Sequence, residues 1–217
     1  MVKSLYGLKQ APKQWNEKFH ATILSAGFTS NESDSCIYCK TYDDAYVMLC
    51  LYVDDILIFG TNMHVINEIK NFLSCNFDMK DLSPADVILG IKLNRTKNGI
   101  VMHQSHYVEK VLRKFDYFDC NPVSTPYDPN FPLYANFGEP VQQSRYAQII
   151  GSLMYLANCS RPDISYAIGR LSRHTSNPSA DHWLALRRVF RYLKGTMDYR
   201  LHYCGYPSVL EGYTDAN

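Results

Sequence analysis

Two apolar stretches, residues 45–53 and 56–60, are separated by only the pair Asp54-Asp55. Both stretches are rich in β-branched and aromatic side chains, a composition typical of buried strands. Such a short separation predicts a β-hairpin that carries both carboxylates at its tip. Because charges beside buried strands are costly unless solvent, hydrogen bonds or a cation compensate them, this tip constrains the fold more than any other feature.

The pair Asp54-Asp55 allows two interpretations. Aspartate is common in turns, so the dipeptide alone favours a plain polar turn. Carboxylates are also the preferred ligands of Mg²⁺, and two such ions about 3.5–4 Å apart can drive phosphoryl transfer. The tetrad Tyr-Val-Asp-Asp between two apolar strands makes the second interpretation more specific, but only its surroundings can decide.

The rest of the chain alternates helix-like and strand-like segments. Helices are predicted for residues 12–26, for a segment with Ile66, Ile69, Phe72 and Leu73, for a segment starting at Ser105, and for 143–158, 162–174 and 179–194. Strands are predicted at 86–94 and 100–103, joined by a turn at 97–99, and at 198–204 and 209–214. Residues 119–141, with five prolines, predict an extended connector. The pattern as a whole predicts an α+β fold.

Composition excludes some classes of protein and leaves others open. The formal net charge of +1 over 217 residues does not indicate nucleic-acid binding, so any basic surface must come from local clustering. No apolar run approaches the roughly 20 residues of a membrane span, and we expect no membrane partner. The odd count of seven cysteines predicts free thiols in a reducing compartment. Cys36 and Cys39 have CxxC spacing without a second such pair, which favours ordinary thiols over a zinc site with His103 and His106.

The predicted helix at 179–194 has a basic face. Its apolar stripe consists of Trp183, Leu186, Phe190 and Leu193, and beside it lie Arg187, Arg191 and Lys194, with Arg188 near. Such a face could follow the phosphates of a template–primer duplex. A solvated surface face would have the same pattern, and the sequence does not separate the two.

Seven blocks in order resemble the reverse transcriptase of copia-type LTR retrotransposon Pol polyproteins. The blocks are SLYGLKQAPKQW (4–15), LYVDDILIFG (51–60), FDMKDLSPADVILGIKL (77–93), QSHYVEKVL (104–112), STP (124–126), YAQIIGSLMYLANCSRPDISYAIGRLSR (146–173) and HWLALRRVFRYLKGT (182–196). Their order and spacing agree with the family over nearly the whole chain.

The resemblance implies RNA-directed DNA polymerisation, with an RNA template, a DNA primer and deoxynucleoside triphosphates as partners. Asp54 and Asp55 would match two metal-binding catalytic carboxylates that hold Mg²⁺, with Mn²⁺ as an alternative, and Tyr52 would lie near the primer end. Tyr6, Gly7, Lys9 and Gln10 would contact nucleotide or template. Tyr6 and Leu8 could equally anchor the chain before the first helix.

The resemblance also implies a division of the chain. It assigns 1–95 to partial fingers and palm, 96–118 to the primer grip and thumb start, 119–197 to the connector and helical thumb or connection, and 198–217 to the start of a ribonuclease H domain. Asp215 would match the first metal-binding carboxylate of that domain, and Asn217 stands where the family usually has a second aspartate. Localisation would be in the cytoplasm, within a virus-like particle, or in the nucleus.

The family's third polymerase carboxylate stands upstream of the LYGLKQAP block, and we expect this chain to lack it and to be inactive alone. The rest of a Pol polyprotein is then an expected partner. One alternative is a non-enzymatic retrotransposon remnant that at most binds nucleic acid. Another is an unrelated palm-like enzyme such as a nucleotidyl cyclase, which would act on nucleotides without a template.

Overall fold

The predicted α+β class is confirmed by a computed structural model that describes residues 7–205. Those residues form six α-helices and two four-stranded antiparallel sheets. The chain divides into two compact units, with the boundary between Ser83 and Pro84. None of the helices in the described residues is long and apolar enough to cross a membrane.

The first unit consists of one sheet and two helices. Its elements are α1 (Ala11–Ser25), β1 (Thr29–Ser30), β2 (Ile37–Thr41), β3 (Tyr46–Tyr52), β4 (Asp55–Gly60) and α2 (Met63–Asn76), and the strand order is β1-β2-β3-β4. The predicted helix end at Gly27 is confirmed: Gly27 has a φ of 82°, and its N–H and that of Phe28 donate to the carbonyls of Leu24 and Ile23. This paired arrangement satisfies carbonyls that the last helical turn leaves free.

Side chains alternate between the two faces of the first sheet, and one of these faces packs against the helices. Val47, Leu49 and Leu51 of β3 are buried, and in the pairing of β3 with β4 Leu51 lies opposite Ile56 and Leu49 opposite Ile58. These residues pack in one core with Phe19 and Ile23 of α1 and Val65, Ile69 and Leu73 of α2. Because side chains alternate along a strand, Tyr52 and its partner Asp55 lie on the opposite face.

The second unit carries the other sheet and four helices. Its elements are β5 (Val87–Ile88), β6 (Ile91–Thr96), β7 (Gly99–His103), α3 (Ser105–Lys114), α4 (Gln143–Cys159), a 3₁₀ turn (Pro162–Ile164), α5 (Ser165–Ser172), α6 (Ala180–Gly195) and β8 (Leu201–Cys204). The strand order is β5-β6-β7-β8. The predicted helices at 143–158, 162–174 and 179–194 are confirmed with small shifts, and the predicted strand at 209–214 lies outside the described residues.

The predicted single strand at 86–94 is wrong. The segment forms two short strands, β5 and β6, joined by the two-residue turn Leu89-Gly90. Both turn residues have positive φ, 49° and 76°, which is the requirement of a tight hairpin turn that follows strand twist. The Tyr155 hydroxyl donates to the Leu89 carbonyl and supports this turn. The next hairpin is confirmed, with Lys97-Asn98 between paired Thr96 and Gly99.

A buried arginine joins the 3₁₀ turn to the end of α6 in the second unit. Arg161 is 2 % exposed, and its guanidinium donates to both carboxylate oxygens of Asp163, at 2.7–3.2 Å. It also donates to the carbonyl and hydroxyl oxygens of Thr196 at the end of α6, at 3.0 and 2.6 Å. The Tyr192 hydroxyl donates to Asp163 at 2.9 Å. Burial opposes ionisation of Asp163, but Arg161 outweighs it and holds the pKa of that carboxyl below its usual value.

We expect Arg161→Ala to lower the free energy of unfolding by about 3 kcal/mol, because it leaves the partly buried Asp163 carboxylate without its cation. Urea unfolding followed by circular dichroism measures the change. Arg145→Ala is the control, since Arg145 and its partner Asp116 are half or more exposed and 3.6 Å apart, and such pairs contribute at most about 1 kcal/mol. Equal effects of the two substitutions would contradict this account.

Two stacked histidines lie near the start of α6. The rings of His174 and His182 are 3.8 Å apart at centroids, and His182 is fully buried. The backbone N–H of Ser179 donates to His182 Nδ1, and the Ser179 hydroxyl accepts from the backbone N–H of His182. These two hydrogen bonds form a capping box. Burial lowers the pKa of His182, as does the nearby His174, while Asp181 acts in the opposite direction. Burial, then Arg170 and Arg173, lowers the pKa of His174.

These shifts predict a protein that loses stability as pH falls below about 6.5, the usual value for histidine. The unfolded chain binds more protons than the folded one in that range, so stability is present above it and declines with acid. Urea midpoints between pH 5 and 8 measure the slope. His182→Gln keeps a side chain that can complete the capping box and should flatten the slope; an unchanged slope would exclude His182 as a contributor.

Candidate active site

The hairpin of β3 and β4 places its two aspartates differently from the prediction. Tyr52 pairs with Asp55, so the two turn residues are Val53 and Asp54, and Asp55 is the first residue of β4. The predicted turn Asp54-Asp55 is therefore wrong by one residue. Both aspartates are exposed, as is Tyr52 at 55 %. The tip thus carries two solvent-facing carboxylates next to a tyrosine ring.

Val53 bends the chain in an unusual conformation. Its φ is 54°, in the left-handed region, where a β-branched residue is a genuine outlier. Its carbonyl accepts a hydrogen bond of 2.8 Å from the Trp15 indole N–H of α1. Trp15 also packs edge-on against Phe77 and at a tilt against Phe19. A half-buried aromatic residue at the edge of the core therefore holds the tip at Val53.

Asp54 and Asp55 are not committed to other partners. Among the described residues, neither carboxylate forms a hydrogen bond or an ion pair, so both keep their oxygen lone pairs for solvent or a cation. Adjacent carboxylates on a rigid support fit the oxygen ligands that Mg²⁺ prefers. Within residues 7–205 no group of three or more histidine, cysteine or acidic side chains could hold a metal ion, so no third such residue joins Asp54 and Asp55 in the described chain.

The other predicted polymerase residues of the first unit that the structure describes lie just before α1. Gly7, Lys9 and Gln10 are exposed, Gly7 has a φ of 93°, and Gln10 is the N-cap residue of α1. Five residues of helix, about 7.5 Å of rise, separate Gln10 from Trp15, which contacts the hairpin tip. Tyr6 lies outside the described residues, and its proposed role stays a prediction.

The basic residues of α6 have structural partners that the sequence did not reveal. Arg191 donates from Nε to the Asn121 carbonyl at 2.8 Å, and Arg188 bonds Thr125 and the Asp128 carboxylate. Lys194 lies 3.9 Å from the centroid of the Phe118 ring. These contacts fasten the connector to α6. Arg187 is exposed and forms no hydrogen bond or ion pair with the described chain.

The cysteines, His103 and Asp215 are further residues that the sequence raised as metal ligands, whether or not it favoured that role. All seven cysteines are free, and Cys39 accepts a hydrogen bond from the Tyr46 hydroxyl across the sheet at 2.8 Å. His103 contacts Ser105 and Asn94 in the second unit. Asp215 lies outside the described residues, so its assignment to a ribonuclease H site stays a prediction. Trp15 and Val53 are the positions that sequence reasoning missed.

Comparison with known proteins gives one family and several transposon relatives. Residues 1–129 match the family described as reverse transcriptase (RNA-dependent DNA polymerase). The chain is 41 % identical over 225 residues to a retrovirus-related Pol polyprotein from transposon TNT 1-94 of Nicotiana tabacum. It is 35 % identical to a retrovirus-related Pol polyprotein from transposon RE2 of Arabidopsis thaliana.

The extent of these matches differs between relatives. Each of the two plant alignments covers 99 % of this chain but only 17 % and 15 % of the respective polyprotein. A putative transposon Ty5-1 protein of Saccharomyces cerevisiae is 33 % identical over 98 % of this chain and 70 % of its own length. No solved structure matches the chain.

We expect Val53→Gly to stabilise the first unit by up to about 1 kcal/mol, because glycine removes the cost of the left-handed conformation and keeps the carbonyl that Trp15 contacts. Urea unfolding measures the change. Val87→Gly is the matched control: Val87 is similarly exposed but starts a strand with ordinary φ, so glycine should destabilise there. Destabilisation at both positions would argue against strain at Val53.

Proposed function

The chain belongs to the reverse transcriptase (RNA-dependent DNA polymerase) family, and from that premise we propose that it forms part of a retrotransposon Pol polyprotein that copies RNA into DNA. The observation that carries the proposal is the exposed, uncommitted pair Asp54 and Asp55 on a hairpin fixed by Trp15. In this assignment residues 1–95 supply part of the fingers and palm, 96–118 the primer grip and thumb start, 119–197 the connector and helical thumb or connection, and 198–217 the start of a ribonuclease H domain.

Asp54 and Asp55 would hold divalent metal through their carboxylate oxygens. When bound, Mg²⁺ would supply Lewis-acid stabilisation of the attacking and leaving oxygens in nucleotidyl transfer. The rigid hairpin keeps the two carboxylates adjacent, so little reorganisation is needed for binding. Exposure at the tip leaves them open to a primer terminus and a nucleoside triphosphate.

Tyr52 is proposed to position the primer end. It shares a face of the sheet with Asp55, and directly opposed residues of an antiparallel pair have Cβ atoms about 4.5–5.5 Å apart. A ring beside a metal-binding carboxylate could pack on a terminal sugar or base. Lys9 and Gln10, exposed at the start of α1, are proposed to contact the incoming nucleotide or the template, with the Lys9 ammonium suited to phosphate.

Two carboxylates fill only part of the near-octahedral shell of Mg²⁺, which leaves positions for water and substrate phosphates. We therefore propose that metal binding by these residues alone is weak and that other parts of a Pol polyprotein complete the site. Primer extension by the chain on its own is expected to be slow or absent, whereas metal binding at the hairpin remains measurable.

We expect Asp54→Asn to weaken Mn²⁺ binding by about tenfold or more, because it removes a unit charge close to the ion. Electron paramagnetic resonance of free Mn²⁺ measures the binding. Asp44→Asn is the matched control: Asp43-Asp44 is a second exposed Asp-Asp pair, in the turn at the other end of β3. Equal loss in both variants would overturn the assignment.

Primer extension on an RNA template with a DNA primer, first in Mg²⁺ and then in Mn²⁺, tests the chemistry. Extension abolished by Asp54→Asn and retained by Asp44→Asn would support polymerisation at this hairpin. Template-dependent extension that survives Asp54→Asn would overturn it. The Mn²⁺ measurement decides the metal assignment even where no extension occurs.

A further inference from the structure

A cleft in the second unit combines an apolar floor with a cationic rim. It has a volume of about 340 Å³ and lies between the connector, α5 and α6. Ala167, Leu171, Leu184, Ala185, Tyr127 and Phe131 provide apolar or aromatic lining. Arg187, Arg188 and Arg191 also line it, with Asp128 as the one acidic member. The cleft therefore presents a surplus of positive charge next to a hydrophobic recess.

The three arginines differ in how far they are already engaged. Arg188 is occupied, since its guanidinium contacts both Thr125 and the carboxylate of Asp128, the latter at 3.3 Å. Arg191 donates only from Nε, to the Asn121 carbonyl, so the N–H groups of its two terminal nitrogens are available to a ligand. Arg187 is exposed and has no partner in the described chain. Arg187 and Arg191 are four residues apart, about one turn of α6, so both side chains can face one anion.

The recess suits a flat ring. Tyr127 is half-buried and packs edge-on against Tyr166 at 5.1 Å between centroids, which fixes its orientation. Leu184 is 54 % exposed at the mouth and offers an apolar contact. The volume is near the lower end of small-molecule sites, about 300–1,000 Å³. A protein partner normally needs a far larger surface, so the size favours one compact ligand.

We propose that this cleft binds a single phosphate-bearing nucleotide, with the base in the recess and the phosphate on Arg187 and Arg191. Guanidinium groups match phosphate oxygens in geometry and charge. Contact with an aromatic ring stabilises the binding of any of the bases. The nucleotide could be free or an unstacked member of a single strand; the chemistry recognised is the same. The inference stands on the cleft and does not depend on polymerisation at Asp54.

The test is isothermal titration calorimetry, in which the 217-residue chain is titrated with AMP, adenosine, inorganic phosphate and a six-nucleotide oligoadenylate RNA. AMP is expected to bind more tightly than adenosine or phosphate alone, because only AMP engages both the rim and the recess. Tighter binding of the RNA than of AMP would identify a nucleic-acid strand as the source, and the reverse order would identify a free nucleotide.

Two variants test the location. Arg187→Ala should weaken AMP binding about tenfold, the size of one charge-assisted hydrogen bond, and leave adenosine unchanged. Leu184→Trp should weaken the binding of both AMP and adenosine, because the larger side chain fills the mouth of the cleft. Arg173→Ala is the control, an exposed arginine at the end of α5 that does not line the cleft. Thermal unfolding confirms that each variant is folded.

The proposal is overturned if folded protein binds neither AMP nor the RNA, or if both bind unchanged in Arg187→Ala and Leu184→Trp. An acidic peptide that binds in an Arg187-dependent way, where AMP does not, would also overturn it. Asp54→Asn should leave AMP binding intact, so failure at the cleft and failure at the hairpin can be told apart.

Discussion

The register of β3 against β4 is the constraint on which the proposed site depends. Leu51 opposite Ile56 and Leu49 opposite Ile58 fix the buried face, since both pairs pack in the core with α1 and α2. A slip of β4 by one residue would turn Ile56 and Ile58 to solvent and bury Asp55. The hydrophobic core therefore selects the one register that keeps a carboxylate and a tyrosine outside. The proposed site at the tip therefore depends on packing in the core of the first unit.

In the second unit, buried and surface arginines have different roles. Arg161 lies inside and joins the 3₁₀ turn to the end of α6 through Asp163 and Thr196, and each of its three guanidinium nitrogens donates a hydrogen bond. Arg188 and Arg191 lie outside and fasten the proline-rich connector along α6. A connector without regular hydrogen bonds needs such side-chain contacts to stay ordered. This arrangement also forms the wall of the cleft, so a structural role and a binding role can share one helix.

Sequence periodicity predicted the helices because their apolar faces are wide and repeat over several turns, as on α6. It misplaced the hairpin turn because Val53 looks like a continuation of the strand; its left-handed conformation follows from register and from the Trp15 bond, 38 residues away in sequence. It also merged β5 and β6, since Leu89 is apolar and only Gly90 marked a turn. The partners of Arg188 and Arg191 are 60 to 70 positions away in sequence and left no local pattern.

The chain contains the dipeptide Asp-Asp at both ends of β3, and the two pairs differ in structure although they are identical in sequence. Asp43-Asp44 and Asp54-Asp55 are both exposed and both lie at hairpin ends, separated by seven strand residues, about 20 Å. Only the second is fixed by an indole from α1 and follows a residue with positive φ. Strained backbone persists where surrounding contacts over-determine it, and such positions cluster at functional sites. A two-residue hairpin turn requires positive φ by itself, so the hydrogen bond from Trp15 is the difference between the two pairs that favours a chemical role for the tip that carries Asp54.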